Sequence, residues 1–222
     1  MSSEGKVDIV YLIDTSSSMS CLKADLDKIV VMEDHILQAD VARLKKVSVR
    51  SRVCGFRLSL SADSLVVQEN PFTVNRTELL TQIHQIEFGD APATPRPLLD
   101  AILKLSRVPE ETGEVPTMSI AWRPKVSARR LVIVLTDSAC QMVTCSKDDG
   151  VASFDDVARE VISARLRLAI FAPEHDCYHT IWAIDRCEVV FAEGLAEIFK
   201  ACQSIWLIPG MIGQFFRAES VN

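Results

Sequence analysis

Three oxygen-bearing side chains follow the first apolar segment of the chain at alternate positions. The segment Val7–Ile13 is almost continuously apolar, and Asp14, Ser16 and Ser18 come after it. A carboxylate and two hydroxyls are hard oxygen ligands, the type that Mg²⁺ prefers in proteins. In open α/β sheets, ligands bind outside the carboxyl ends of the strands. The spacing therefore predicts a divalent-cation site at the end of the first strand.

Two further oxygen ligands are associated with later elements. Asp137 follows the second strongly apolar segment, Leu131–Leu135, and Thr94 lies in a proline-rich loop just before a predicted helix. If the strands that precede Asp14 and Asp137 flank the point where the strand order reverses, both carboxylates face one crevice. Each aspartate alone could be only a helix N-cap. Together the candidate metal ligands are Asp14, Ser16, Ser18, Thr94 and Asp137.

Apolar strands that alternate with amphipathic helices predict an α/β fold. We expect a doubly wound, mostly parallel six-stranded sheet with helices on both faces. The predicted strands are Val7–Ile13, Val47–Phe56, Leu65–Val67, Leu131–Leu135, Leu166–Ala172 and Val189–Ala192. The predicted helices are Leu22–Leu44, one capped by Asn75, one from Pro97 to Leu105, one capped by Ser153, Ile181–Arg186 and Leu195–Trp206.

Two details of the sheet follow from local sequence. The short polar connection before Leu65 suits a hairpin, so the third strand should be antiparallel and lie at a sheet edge. Arg50 and Arg52 interrupt the second strand, which predicts a wetter face there. Between residues 108 and 128 the pattern is irregular, and Trp122 is expected to hold that loop to the body of the protein.

Composition narrows the function classes. The chain has 222 residues and a net charge of −6, which argues against nucleic acid as the main partner. The absence of a signal-like amino terminus and the seven irregularly spaced cysteines predict a cytoplasmic protein with reduced thiols. No apolar run reaches the roughly 20 residues of a membrane span. We expect one domain over residues 1–207 and an apolar tail over 208–222, which packs on the domain or docks a partner.

Three motifs in this order resemble the von Willebrand factor A (VWA) domain. They are Asp-x-Ser-x-Ser at Asp14–Ser18, the pair Thr94-Pro95 and the pair Thr136-Asp137. The resemblance covers about residues 1–207 and implies the Rossmann-like VWA fold with a metal-ion-dependent adhesion site (MIDAS). In that family the two serines and the threonine bind Mg²⁺ directly or through water, and the aspartates act largely through water. A carboxylate from a partner completes the octahedron.

The resemblance also implies a function. It predicts a non-catalytic adaptor or scaffold that grips an Asp or Glu of another protein through Mg²⁺, with Mn²⁺ or Ca²⁺ as substitutes, as part of a multiprotein complex. In length and plan the chain resembles the intracellular, bacterial tellurite-resistance-associated members of the family, which implies a stress or defence system. The chain departs from the family at Ser17, Pro92-Ala93 and Ser138, where glycine is usual.

Three alternatives compete with this interpretation. The crevice could belong to a metal-free structural subunit. Asp14 after a buried strand could instead be a phosphoryl-transfer nucleophile, although the second acid of such enzymes is replaced by Ser16. Zinc could bind His175, Cys177 and His179 with Cys140 and Cys145 from the same half of the chain, although their spacing does not match paired Cys-x-x-Cys sites.

Overall fold

The computed structural model describes most of the chain: residues 5–31, 47–59, 64–91, 96–112, 119–141 and 153–193, with 196, 197 and 200. Several predicted features lie outside these residues. They are the helix beyond residue 31, Thr94, most of the helix Leu195–Trp206 and the tail 208–222.

A six-stranded sheet organises the structure, in the order β3-β2-β1-β4-β5-β6. Four of its five strand pairs are parallel, and only the edge strand β3 runs antiparallel, against β2. The predicted topology and the antiparallel edge are therefore confirmed. The strands are β1 Gly5–Asp14, β2 Val47–Leu58, β3 Leu65–Glu69, β4 Ala128–Leu135, β5 Leu166–Ala172 and β6 Cys187–Phe191.

The helices connect these strands. After β1 comes a 3₁₀ helix, Ser17–Ala24, and then α1, which the structure describes over residues 27–31. The later helices are α2 Arg76–His84, α3 Leu98–Ser106, α4 Phe154–Ser163 and α5 Asp176–Trp182. No helix among the described residues is long and apolar enough to cross a membrane.

Two predicted helices were placed incorrectly. Where an α-helix was expected from Leu22, the structure has the end of the 3₁₀ helix Ser17–Ala24, and α1 starts at residue 27. The helix expected at Ile181–Arg186 is instead α5, which starts at Asp176 and ends at Trp182. Arg186 has a φ of 69°, a left-handed conformation that a helix interior excludes.

The core has two layers, one on each face of the sheet. Val10 and Leu12 of β1 pack with α3, α4 and α5, while Ile9, Tyr11 and Ile13 pack with the 3₁₀ helix, α1 and α2. Alternate residues of a strand point to opposite faces, so β1 is covered on both sides. The prediction of helices on both faces is confirmed.

A buried ion-pair network closes the end of the sheet where β1 begins. Arg50 binds Asp8 through two hydrogen bonds of 2.7 and 2.8 Å and also pairs with Glu111. Arg50 and Arg52 are only 6% and 0% exposed, and both lie over the ring of Phe72. The expectation of a wetter face at these two arginines was therefore wrong, since pairing and aromatic contacts allow the charges to be buried.

The helix cap predicted at Asn75 and the role predicted for Trp122 are both found in the structure. Asn75 accepts a hydrogen bond of 2.8 Å from the backbone of Thr77 and caps α2. Trp122 is fully buried and donates to the carbonyl of Leu105 at 2.9 Å, so it does hold its loop to the body of the protein.

Replacing Ser153 with alanine should weaken α4. The Ser153 hydroxyl accepts from the backbone N–H of Asp156, whose carboxylate accepts from the backbone N–H of Ser153 at 2.9 Å. Losing this reciprocal cap is expected to lower the free energy of unfolding by about 1 kcal/mol. Urea denaturation measures it, with Ser163→Ala as an exposed control in the same helix. A Ser153→Ala loss no larger than that of the control would contradict the assignment.

Candidate metal centre

The site lies at the carboxyl ends of β1 and β4. These strands are parallel neighbours at the centre of the sheet. The strand that follows β1 in the chain, β2, lies on one side of this pair, and the strand that follows β4, β5, lies on the other side. Asp14 is the last residue of β1, and Asp137 follows the end of β4 by two residues. The structure thus places both at the predicted reversal of strand order, where open α/β sheets form their binding crevice.

The loop after β1 is fixed by hydrogen bonds to its neighbours. Thr15 is fully buried, and both its backbone N–H and its hydroxyl donate to the carbonyl of Phe56, at 2.8 and 3.1 Å. Its own carbonyl accepts from the backbone of Gly89 at 3.0 Å. Gly55 leaves room for this approach, because a Cβ there would lie 2.6 Å from Thr15 Cγ2. Thr15 shapes the loop and directs Ser16 and Ser18 to the crevice.

Asp14 is fully buried, and both of its oxygens accept hydrogen bonds. Oδ1 accepts from the backbone N–H of Ser16 at 2.9 Å, and Oδ2 accepts from the Thr136 hydroxyl at 2.9 Å and from Arg96 Nε at 3.0 Å. Burial raises the pKa of Asp14, while the positive charge of Arg96 and the hydrogen bonds from Ser16 and Thr136 act in the opposite direction.

The two serines and the second aspartate surround the same guanidinium. The hydroxyl oxygens of Ser16 and Ser18 are 3.0 Å apart and share a hydrogen bond. Arg96 Nη2 donates to Ser18 Oγ at 3.1 Å and lies 3.7 Å from Asp137 Oδ1. That Asp137 oxygen is buried and accepts no hydrogen bond from any residue that the structure describes.

The backbone holds Arg96 beside the loop that follows β4. Its N–H donates to the carbonyl of Ala139 at 2.8 Å, and its carbonyl accepts from Gln141 at 2.9 Å. The residue is 5% exposed. Sequence reasoning missed Arg96 entirely. The one available signal was a basic residue directly after the Thr94-Pro95 pair.

Four of the five predicted ligands are brought together. Asp14, Ser16, Ser18 and Asp137 line one crevice around Arg96. Thr94, two residues before Arg96, lies outside the described residues.

Comparison with known proteins gives a fold assignment. No protein-family model matches the chain, and no curated protein matches it in sequence. Among solved structures, proximal thread matrix protein 1 (PTMP1) from the mussel byssus matches with a TM-score of 0.57 and 16% identity over 91% of this chain. A PTMP1 structure described as having a zinc-occupied MIDAS motif matches with a TM-score of 0.57 and 12% identity over 93% of this chain.

The chain has the VWA fold. It spans about half of PTMP1, since the alignments cover 46% and 48% of those chains. Identities this low establish the shared fold alone, so each ligand must be judged on the residues of this chain.

By donor type, the crevice fits a hard divalent cation. Two carboxylates and two hydroxyls converge there, and the unbonded oxygen of Asp137 faces the positive charge of Arg96. The positively charged guanidinium of Arg96, however, already lies among the oxygens that would bind the metal ion. Unit charges of like sign 4 Å apart repel by about 4 kcal/mol at a typical near-surface dielectric. The donors therefore fit a VWA metal site, provided that Arg96 withdraws from them.

The cysteine–histidine cluster does not form a comparable site. The backbone N–H of Cys140 donates to Cys177 Sγ at 3.3 Å, whereas His179 pairs with Glu174 and packs on Phe191. Among the described residues, no three His, Cys, Asp or Glu side chains are grouped so as to hold a metal. The hydrogen bond between the two thiols lowers the pKa of Cys177 and raises the pKa of Cys140. Without a third ligand grouped beside them among the described residues, these two thiols do not make the zinc site that the sequence offered.

Proposed function

We propose that this chain is a non-catalytic protein-binding domain, an adaptor or scaffold, that grips an acidic side chain of a partner through a divalent cation. The observation that carries the proposal is the convergence of Asp14, Ser16, Ser18 and Asp137 where the strand order reverses. Thr94 would complete this set. Mg²⁺ is the expected ion, with Mn²⁺ or Ca²⁺ as substitutes, because all five ligands offer oxygen.

The residues of the crevice would have different roles in metal binding. Bound Mg²⁺ would offer a coordination position to a partner's carboxylate. Ser16, Ser18 and Thr94 would hold the ion. Asp14 orients the loop by accepting from the backbone of Ser16, and Asp137 offers an oxygen that accepts no hydrogen bond from another described residue and lies 3.7 Å from Arg96.

The burial of Asp14 supports a binding role over phosphoryl transfer. A nucleophilic carboxylate must present a lone pair to the substrate, but Asp14 is 0% exposed and its oxygens accept from Ser16, Thr136 and Arg96. The residue two positions on is Ser16, so the acid that such enzymes carry at that position is also missing.

A metal-free structural subunit is the second candidate, and Arg96 is the observation that favours it. The guanidinium already neutralises part of the acidic crevice, so the fold does not need a metal to bury Asp14. In this version the domain binds its partner through other surfaces, and the crevice serves stability only.

The cellular setting belongs to the same proposal. We infer a cytoplasmic protein in a multiprotein complex, in a bacterial stress or defence system such as tellurite resistance, organised as a domain over 1–207 and a tail over 208–222. The described cysteines support a reducing compartment, since Cys21, Cys54, Cys140, Cys177 and Cys187 are all free thiols.

Calorimetric titration with MgCl₂ tests the metal site. Asp137→Ala should weaken Mg²⁺ binding by about 10–100-fold, the usual cost of losing a group that orients or supports metal ligands. Thr94→Ala should weaken it as well, with the fold intact. Asp185→Ala is the matched control, because that carboxylate is 75% exposed and lies outside the crevice. Equal affinities for Asp137→Ala and the control would contradict the assignment of Asp137.

Partner recovery with and without EDTA separates the two candidate functions. The metal-dependent adaptor should lose its partner in EDTA and regain it with excess Mg²⁺. Equal recovery in both buffers would exclude the metal-dependent version and favour the structural subunit.

A further inference from the structure

The geometry points to Arg96 as an internal cation that competes with a divalent metal for the oxygens of this crevice. We propose that the metal binds only after the Arg96 guanidinium has left Asp14, so that this side chain sets the metal affinity of the site. The inference rests on the proposed metal-dependent function and adds its regulation.

The contacts of Arg96 are those that a bound cation would need. Its Nε donates a hydrogen bond to one oxygen of Asp14 at 3.0 Å, and its Nη2 donates to the hydroxyl oxygen of Ser18 at 3.1 Å. The same Nη2 lies 3.7 Å from Oδ1 of Asp137. An oxygen lone pair that accepts from a guanidinium is not available to a metal ion. The hydrogen bond that Ser16 and Ser18 share occupies a lone pair on only one of the two hydroxyl oxygens, so both hydroxyls can bind a metal ion once Arg96 has left Ser18.

Charge makes the two occupants mutually exclusive. Asp14 and Asp137 contribute two negative charges and Arg96 one positive charge, so the crevice keeps one net negative charge. A divalent cation beside the guanidinium would leave the crevice positively charged. With the guanidinium withdrawn, the same ion balances the two carboxylates, which is the favourable arrangement at low dielectric.

The backbone allows this exchange without unfolding. Arg96 is fixed at its N–H and carbonyl by Ala139 and Gln141, and Pro97 follows it at the start of α3. The side chain alone has to move, and an arginine side chain has several rotatable bonds through which its charged end can swing to solvent. The crevice can therefore exist in an arginine-filled and a metal-filled form on one scaffold.

Metal titration of charge variants tests the competition. We expect Arg96→Gln to bind Mg²⁺ and Mn²⁺ at least 10-fold more tightly than the unaltered protein, because the competing charge is gone. Arg96→Lys keeps the charge and should bind with an affinity closer to that of the unaltered protein. Arg107→Gln is the matched control, because that arginine is 41% exposed, on the surface next to α3, and should leave the affinity unchanged.

Two results would overturn the inference in different ways. Equal or weaker Mg²⁺ binding by Arg96→Gln, with the unaltered protein binding the ion, would exclude competition and leave the proposed function standing. Absence of Mg²⁺ binding by both proteins, at millimolar concentrations, would overturn the competition and the metal-dependent function together.

A measurement on the unaltered protein removes any dependence on the folding of the variant. In ¹⁵N-labelled protein, the Nε–H of Arg96 should give a protected signal, since it is buried and bonded to Asp14. Saturation with Mg²⁺ should abolish that protection or shift the signal to that of a solvated guanidinium. An unchanged signal at saturating Mg²⁺ would overturn the proposal.

Discussion

Asp8→Ala is expected to lower the free energy of unfolding by about 3–5 kcal/mol, because it removes the carboxylate from a buried ion pair. Arg50 donates to Asp8 through Nε and Nη2, and the backbone N–H of Arg123 donates to the same carboxylate at 2.8 Å. The guanidinium of Arg123 also lies 3.5 Å from it. Without Asp8, Arg50 keeps its pair with Glu111, and Arg123 loses its ion pair with Asp8.

Urea denaturation of the purified protein measures this effect. Asp185→Ala is the control, since its carboxylate is mostly exposed and such substitutions usually change stability by less than about 0.5 kcal/mol. A double variant, Asp8→Leu with Arg50→Met, should recover part of the loss, because it removes the Arg50 charge together with its partner, while Glu111 and Arg123 each lose one ion-pair partner. A loss below about 1 kcal/mol for Asp8→Ala would show that the network does not hold the start of β1.

The strands were the most predictable part of the fold. β5 has the predicted bounds, Leu166–Ala172, and β1 contains the whole predicted segment Val7–Ile13. A strand covered on both faces must be apolar at nearly every position, so its sequence identifies it without knowledge of its neighbours. The antiparallel β3 was predictable for a different reason, since a short connection cannot hold a crossover.

The incorrect helix bounds have local physical causes. The apolar spacing from Leu22 onward is helical, but Leu22 lies in the 3₁₀ helix Ser17–Ala24, which follows the loop that hydrogen bonds fix at Thr15 and Ser16. At α5, the helix starts at Asp176 directly after the N-cap residue His175, before the apolar residues from Ile181 on which the predicted bounds rested. The spacing of apolar residues indicates which face of a helix is buried, but it does not determine the residue at which the helix starts.

The candidate site was predictable as far as it depends on topology. Asp14 and Asp137 meet because their strands flank the strand-order reversal, and an alternating sequence of strands and helices implies such a reversal. The role of Arg96 was not predictable. Its pairing with Asp14 joins residues 82 positions apart, and isolated arginines usually lie on the surface.

In EDTA, Asp14→Ala should lower the free energy of unfolding about as much as Asp8→Ala, by roughly 3–5 kcal/mol. Mg²⁺ should change the coupling of Asp14 to its arginine and leave that of Asp8 unchanged. Asp14 and Asp8 lie at opposite ends of β1, and each is a fully buried carboxylate paired with an arginine. Removing Asp14 also takes an acceptor from Ser16 and Thr136, whose polar groups would lose their partner.

A double-mutant cycle with Arg96→Met isolates the ion pair. The double variant should be less destabilised than the sum of the single variants, with a coupling free energy of about 1–3 kcal/mol for groups in direct contact. Chemical denaturation in EDTA gives this value, and Arg107→Met, paired with Asp14→Ala, should give a coupling near zero. Additivity of Asp14→Ala and Arg96→Met would show that the guanidinium does not stabilise the buried carboxylate.

The same cycle in Mg²⁺ connects stability with the function of the crevice. If the metal replaces Arg96 at the oxygens, saturating Mg²⁺ should reduce the coupling between Asp14 and Arg96, because the guanidinium is then in solvent. The Asp8–Arg50 coupling should not change, since that pair lies at the other end of β1. A metal-dependent loss of coupling at Asp14 alone would identify the carboxyl end of β1 as the place where a bound ion and a structural ion pair exchange.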